Sequence, residues 1–276
     1  MDEYVLKATG GLDMDKSIFT EVISDDQNKP WLIMIHGFTQ NHKVFDRQVA
    51  NFKDKFNIIL IDLRGHGGSD HIHGPFGIEE YTDDLELIVN HYSLNKFYCW
   101  GTHTGTAISL VYTLRHPEHV LGLILEGTVL PGLDMPRVRE LINRAKKISD
   151  ERGIEEAKKD WFDYADWFEY MREHNIACRA EEHWKIISEF KGDPWICKIK
   201  SREVTNVEQR IDELKIPILM YNGEEDLDDF FEVARHLKNK KRDVQLEIIP
   251  DAGGFPCWEN PHKVNRLVRN FFNQIC

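Results

Sequence analysis

The segment Gly101-Thr102-His103-Thr104-Gly105 constrains the fold of this chain more than any other stretch of its sequence. Two glycines flank a central residue at a spacing typical of a sharp turn from a strand into a helix. The apolar run Phe97–Trp100 precedes the turn, and the run 107–114 that follows it reads as a helix. The sequence therefore predicts a strand, a tight turn at His103 and a helix in direct succession.

Short continuous apolar runs recur along the chain at intervals that leave room for a helix between them. Such runs are typical of strands that are buried on both faces of a parallel sheet. They occupy residues 32–35, 58–61, 121–125, 216–221 and, more weakly, 244–249. The alternation of these strands with helical segments predicts an α/β fold with a doubly wound, mostly parallel sheet.

Residues 133–207 differ in their pattern of apolar and charged residues from the rest of the chain. No strand-like run occurs there, and apolar residues recur at three- and four-residue intervals among many charges. We expect a helical insertion. Its many aromatic residues, among them Trp161, Trp167 and Trp195, either line an apolar cavity over the sheet or form a small helical core of their own.

Composition and charge exclude several classes of partner. The net charge of −12 opposes binding to phosphate backbones and to anionic lipid surfaces, and no basic stripe interrupts it. No apolar run is long enough for a membrane span, and the first residues do not resemble a secretion signal. The five cysteines are widely spaced and form no C-x-x-C pair. We expect a cytoplasmic protein that binds neither nucleic acid nor membranes.

Several motifs together resemble those of the α/β-hydrolase superfamily, in particular its branch with a helical cap. His36-Gly37-Phe38 resembles the oxyanion turn of that family, and residues 62–70 (DLRGHGGSD) resemble its D-x-R-G-x-G-x-S loop. Residues 223–226 (GEED) resemble the segment that supplies the catalytic acid. The resemblance implies an α/β-hydrolase core formed by residues 1–132 and 208–276, with residues 133–207 as the cap.

The same resemblance assigns roles to individual residues and shows where the chain departs from the family pattern. His103 stands where the family has its nucleophilic serine, and Gly254 stands where it has its catalytic histidine. Asp226 corresponds to the catalytic acid. The backbone N–H groups of Phe38 and Thr104 correspond to the oxyanion hole. Two of the three residues of a serine-hydrolase triad are therefore replaced.

One hypothesis is that these residues still form a catalytic site. The His103 imidazole would turn into the space left at Gly254 and hydrogen-bond to Asp226, which would make it a general base beside the oxyanion hole. Such a site would act on a small apolar organic molecule, bound between core and cap, by proton abstraction, elimination or activation of water. Two alternatives remain open: a non-catalytic small-molecule-binding protein, and a serine hydrolase inactivated by replacement of its serine and histidine.

Other residues compete for roles in the site. Glu126, which follows the strand 121–125, is either an alternative acid or a structural carboxylate. Cys257 is a potential nucleophile, but an inert buried thiol is the simpler interpretation. His71 and His73 form an H-x-H pair that no further ligand completes at a recognised metal-binding spacing. No metal and no cofactor are therefore predicted.

Overall fold

The computed structural model describes residues 2–7, 17–24, 26, 28–174 and 176–275. Its centre is an eight-stranded sheet with the strand order β1-β2-β4-β3-β5-β6-β7-β8. The strands are β1 (Asp2–Lys7), β2 (Ser17–Ile23), β3 (Trp31–Ile35), β4 (Asn57–Ile61), β5 (Phe97–Thr102), β6 (Val120–Glu126), β7 (Ile218–Gly223) and β8 (Gln245–Ile249). Strands β3 to β8 pair with one another in parallel, which confirms the predicted α/β fold.

The first two strands are the part of the sheet that the sequence pattern missed. β1 pairs with β2, and β2 pairs with β4, in both cases antiparallel. In β2 buried and partly exposed residues alternate at first, whereas all five residues of β4 are buried. An alternating strand near a sheet edge lacks the continuous apolar run by which the central strands were recognised.

Helices cover the sheet and fill the segment between β6 and β7. They are α1 (Asp46–Phe52), α2 (Ile78–His91), α3 (Thr104–Arg115), α4 (Pro136–Arg152), α5 (Ile154–Tyr164), α6 (Glu169–Glu173), α7 (Arg179–Ser188), α8 (Asp193–Ile196), α9 (Val207–Arg210), α10 (Asp228–Lys240), α11 (Pro256–Glu259) and α12 (Pro261–Ile275). Helices α4 to α9 lie in the stretch 136–210, and we refer to residues 133–207 as the cap. No helix in the described ranges is both long and apolar enough to cross a membrane.

The core and the cap share a continuous set of buried apolar side chains. Trp100 of β5 is fully buried and donates its indole N–H to the Tyr221 hydroxyl of β7 at 3.0 Å. In the cap, Trp161, Phe168 and Trp195 are also buried. The turns at the carboxyl ends of β3 and β5, where a ligand site is expected in an open parallel sheet, are in contact with cap rings: Phe38 contacts Trp161, and His103 contacts Trp167.

Candidate functional site

The turn between β5 and α3 has the predicted form. His103 is the single residue between the strand and the helix, and its backbone has a positive φ of 46° with ψ of −110°. For a residue with a side chain this conformation costs about 1–3 kcal/mol. Glycine is needed on either side, because a Cβ at Gly101 would overlap the backbone of Gly105, and one at Gly105 would overlap that of Ile35.

The His103 imidazole is enclosed by apolar rings. The residue is 2% exposed, and its ring makes edge contacts with Trp167 at 4.8 Å, Phe255 at 5.1 Å and Phe230 at 5.2 Å between ring centroids. Its Nε2 atom has no hydrogen-bond partner. The backbone of Gly127 approaches the same edge of the ring so closely that a Cβ there would lie 2.6 Å from Nε2.

Burial decides the protonation state of His103. It lowers the pKa of the imidazole to about 3, and a hydrogen bond with the backbone of Gly254 opposes this shift only in part. Removal from water disfavours the charged form of a histidine when no counter-ion compensates. The ring is therefore neutral throughout the physiological pH range.

The prediction of a hydrogen bond between His103 and Asp226 is wrong. Within the described residues no hydrogen bond or ion pair joins the two side chains. The Asp226 carboxylate instead accepts the Asn222 side-chain N–H at 3.0 Å and the Leu227 backbone N–H at 2.8 Å. Burial of the carboxyl group raises its pKa well above the ordinary value. Asp226 is held by its own loop, and the imidazole packs against aromatic rings.

The space beside Gly254, where the hypothesis put the His103 imidazole, holds a cap side chain instead. A Cβ built on Gly254 would overlap the indole ring of Trp167, from the cap. Trp167 is 5% exposed and stacks on Phe255 at 5.6 Å between ring centroids. The Trp167 indole thus occupies the position that a side chain on Gly254 would take, and the His103 imidazole contacts only the backbone of Gly254. Gly254 itself does not have a positive φ, so its backbone would accept a side chain if this indole were absent.

The two predicted oxyanion donors lie on the turns expected for them. The Phe38 N–H follows strand β3, and the Thr104 N–H begins helix α3. Neither N–H group has a hydrogen-bond acceptor among the described residues. The Phe38 ring contacts Trp161 and Trp195 of the cap at 6.3 and 6.4 Å between centroids. Two free backbone donors are thus present beneath the cap.

Polar contacts tie the turn after β3 to the cap. The Trp161 indole N–H donates to the Thr39 hydroxyl at 3.0 Å, and the Gln40 side chain lies 3.3 Å from Nε2 of His183. Gln40 also accepts the Gly37 backbone N–H through its side-chain oxygen at 3.0 Å. These buried bonds hold the cap against the core beside the turn after β3.

A group of buried carboxyl side chains lies near this site. Glu126 accepts the Cys257 backbone N–H at 2.7 Å, and burial raises its pKa to about 8. Glu259 accepts the N–H groups of Gly253 and Phe255 at 2.8 and 3.0 Å, and burial raises its pKa to about 7. Burial also raises the pKa of the Cys257 thiol, which disfavours the thiolate that a nucleophile requires.

The sequence named Trp167 only among the aromatic residues of the cap, and it did not single out His183 or Gln40 as site residues. Trp167 and His183 come from the cap, and Gln40 comes from the turn after β3. No motif marks any of them. The density of aromatic residues in the cap was the only available signal, and it did not indicate which ring would face His103.

Comparison with known proteins agrees with this architecture. A family model described as the alpha/beta hydrolase fold matches residues 30–162. The esterase RhEst1 of Rhodococcus sp. ECU1013 superposes with a TM-score of 0.81 at 18% identity, covering 100% of both chains. The chain has the α/β-hydrolase fold.

Similarity to curated proteins extends over most of the chain. The AB hydrolase superfamily protein YisY of Bacillus subtilis (strain 168) is 26% identical over 265 residues, which cover 88% of this chain and 91% of that protein. A 2-succinyl-6-hydroxy-2,4-cyclohexadiene-1-carboxylate synthase of Enterobacter sp. (strain 638) is 26% identical over 244 residues, with coverages of 85% and 88%.

Proposed function

We propose that this protein is a non-catalytic member of the α/β-hydrolase superfamily that binds a small organic molecule between core and cap. The observation that carries the proposal is the position of Trp167, whose indole occupies the space beside Gly254 where a catalytic histidine would project. In this proposal His103 is a neutral hydrogen-bonding anchor at the base of the site, and it transfers no proton.

The protonation chemistry of His103 argues against general-base catalysis. A base works best when its pKa lies near the working pH, and the pKa of this imidazole is lowered to about 3. A carboxylate partner would raise that pKa, but Asp226 is bonded to Asn222 and Leu227 instead. The turn also carries no hydroxyl or thiol at position 103 that could act as a nucleophile.

Unpaired polar atoms in the aromatic interior argue for a bound ligand. Nε2 of His103, Nε1 of Trp167, Nδ1 of His183 and Nε1 of Trp195 are buried without hydrogen-bond partners. Each such atom costs about 1–3 kcal/mol relative to a satisfied one. A ligand that displaces the Trp167 indole and bonds to the Nε2 atom of His103 would remove part of this cost. Rings on several sides favour a flat, uncharged aromatic molecule with one hydrogen-bonding group.

A second candidate function is hydrolase- or lyase-like catalysis with His103 and Asp226 as an acid–base pair. The unpaired N–H groups of Phe38 and Thr104 favour it, because they are the donors that an oxyanion hole requires. The similarity to a synthase and to an esterase agrees with either chemistry. This candidate requires Trp167 to leave the site and the imidazole to reach Asp226.

One experiment separates the two candidates. Wild type and His103→Ala would be assayed for hydrolysis of 4-nitrophenyl acetate and butyrate between pH 5 and 9, and for binding of phenol and indole by calorimetry. The proposal predicts equal background hydrolysis in both proteins and phenol or indole binding that His103→Ala weakens. Hydrolysis that depends on His103 would overturn the proposal and favour the second candidate. Absence of binding by both probes would contradict the aromatic-ligand assignment.

The control for binding is a matched pair of tryptophan variants. Trp167→Phe keeps an aromatic ring but shortens it, and we expect tighter phenol binding because less of the side chain has to be displaced. Trp184→Phe changes a partly buried cap tryptophan that packs on Phe162, with ring centroids 5.6 Å apart. That control should leave the affinity for phenol unchanged.

A further inference from the structure

Two histidines and a glutamate meet beyond the far end of α3, away from the turn at His103. His116 follows the last residue of α3, and Glu118 and His119 immediately precede β6. We call these three residues the His–Glu cluster. Their candidate ligand atoms all lie within 4.8 Å of one another. The cluster plays no part in the proposed function, so it requires an explanation of its own.

The distances within the cluster are close to those around a bound transition metal. Glu118 Oε1 lies 3.9 Å from Nδ1 of His116 and 3.5 Å from Nε2 of His119. Tetrahedral coordination of Zn²⁺ with bonds of about 2.0–2.2 Å separates neighbouring ligand atoms by roughly 3.3–3.6 Å. Because the candidate ligand atoms of the cluster are separated by up to 4.8 Å, a rotation of one ring is needed to bring all three into a common coordination shell.

The opposite ring nitrogen of His119 is hydrogen-bonded, and that of His116 lies near a carboxylate. Nδ1 of His119 lies 2.8 Å from the Tyr112 hydroxyl, and Nε2 of His116 lies 3.5 Å from Oε1 of Glu86 on helix α2. Histidine ligands of metals characteristically use their second nitrogen in this way, which fixes the tautomer and the ring orientation. The arrangement leaves Nδ1 of His116 and Nε2 of His119 directed to the same carboxylate.

From this geometry we propose that the His–Glu cluster is a binding site for a divalent transition-metal ion, with Zn²⁺ as the representative ion. His116, Glu118 and His119 are the ligands, and Tyr112 and Glu86 position the two rings. Imidazole nitrogen favours Zn²⁺ and its neighbours over Mg²⁺ or Ca²⁺. The two rings are stacked, with planes 7° apart and centroids at 5.3 Å, so His116 must turn for both nitrogen lone pairs to face one ion. The His116 side chain is 25% exposed, which leaves it accessible to solvent for that rotation.

The test is titration of the tag-free protein with zinc chloride, followed by calorimetry and thermal unfolding. We expect one ion per chain, a rise in the unfolding temperature, and no competition from a millimolar excess of Mg²⁺. His119→Ala should abolish this binding. Tyr112→Phe and Glu86→Gln should each weaken it about 10-fold or more while leaving the ligands in place. His262→Ala, which removes an exposed histidine outside the cluster, is the matched control and should bind like wild type.

Two results would overturn the proposal. One is the absence of Zn²⁺ binding in wild type, which would leave the cluster as a set of histidine–glutamate ion pairs. The other is binding that His119→Ala and His262→Ala retain to the same extent, which would locate the ion elsewhere. Unfolding temperatures measured in the presence of a chelator show whether each variant is folded before metal is added.

Discussion

The packing of Trp167 against Gly254 leads to a quantitative prediction about paired substitutions. Gly254→His introduces the side chain that the family pattern has at this position, and Trp167→Ala removes the indole that a Cβ there would overlap. The backbone at Gly254 does not have a positive φ, so the main obstacle to histidine is the indole, whose Cδ1 and Nε1 atoms the new Cβ would overlap; the Trp167 carbonyl oxygen at 3.1 Å is a lesser one. The two substitutions should therefore be strongly coupled.

The magnitudes follow from the surroundings of each side chain. Trp167 is 5% exposed and its indole N–H has no partner, so Trp167→Ala loses packing alone, about 3–5 kcal/mol of unfolding free energy. Gly254→His in the wild-type background overfills the site and costs about 1–3 kcal/mol. In the double variant the imidazole occupies part of the space that the indole leaves. We expect the double variant to be about 2 kcal/mol more stable than the sum of the single effects implies.

Urea unfolding of the four proteins, followed by circular dichroism at constant pH, measures this coupling. The matched control repeats the cycle with Trp184→Ala in place of Trp167→Ala, because the three atoms nearest to a Cβ at Gly254 all belong to Trp167. That control cycle should be additive. Additivity within about 0.5 kcal/mol in the Trp167 cycle itself would refute the assignment of the indole to this space.

Three further predictions concern buried polar groups. Burial raises the pKa of Glu126 from 4.5 to about 8, so between these pH values the folded state keeps a proton that the unfolded chain releases. The contribution of this proton to the stability of the fold is lost as the pH rises from 4.5 through 8. In urea unfolding between pH 5 and 9, the unfolding free energy of Glu126→Gln should therefore rise relative to that of wild type by up to about 1.4 kcal/mol per pH unit. A difference between the two proteins that does not change with pH would contradict this prediction. Arg64→Ala removes the two hydrogen bonds, at 2.6 and 2.7 Å, that the guanidinium group donates to Asp84. It should lower the free energy of unfolding by about 3–5 kcal/mol in the same assay, and a loss below about 1 kcal/mol would show the pair to be dispensable. Trp161→Phe removes the indole N–H that the Thr39 hydroxyl accepts and should cost about 1–3 kcal/mol, with unchanged stability as the contrary result.

Much of the fold could be predicted because the central strands are buried on both faces. The runs 32–35 and 58–61 fall within β3 and β4, and the turn at His103 lies between β5 and α3 as its glycines required. β1 and β2 were missed because local pattern cannot distinguish an alternating strand near the sheet edge from a polar segment. β7 begins at Ile218, two residues later than the apolar run suggested.

The candidate site was only partly predictable. The backbone positions of Phe38, His103 and Thr104 could be predicted, since they follow from strand ends and a glycine-flanked turn. The side-chain contacts could not. The sequence allowed the imidazole to reach Asp226 through the space at Gly254, and no local feature showed that a ring from the cap would take that space.

The sequence by itself determined which scaffold is present and which residue types stand at the turn after β5 and at position 254. It has histidine where the resemblance implies a serine and glycine where it implies a histidine, on a chain whose apolar periodicity forms a parallel sheet. Only the tertiary structure decided which side chains surround His103 and Gly254. Residues 103, 167 and 254 are distant in the sequence, and whether an indole or an imidazole fills a gap depends on close packing between elements. The same packing removes His103 from water and thereby sets its protonation state.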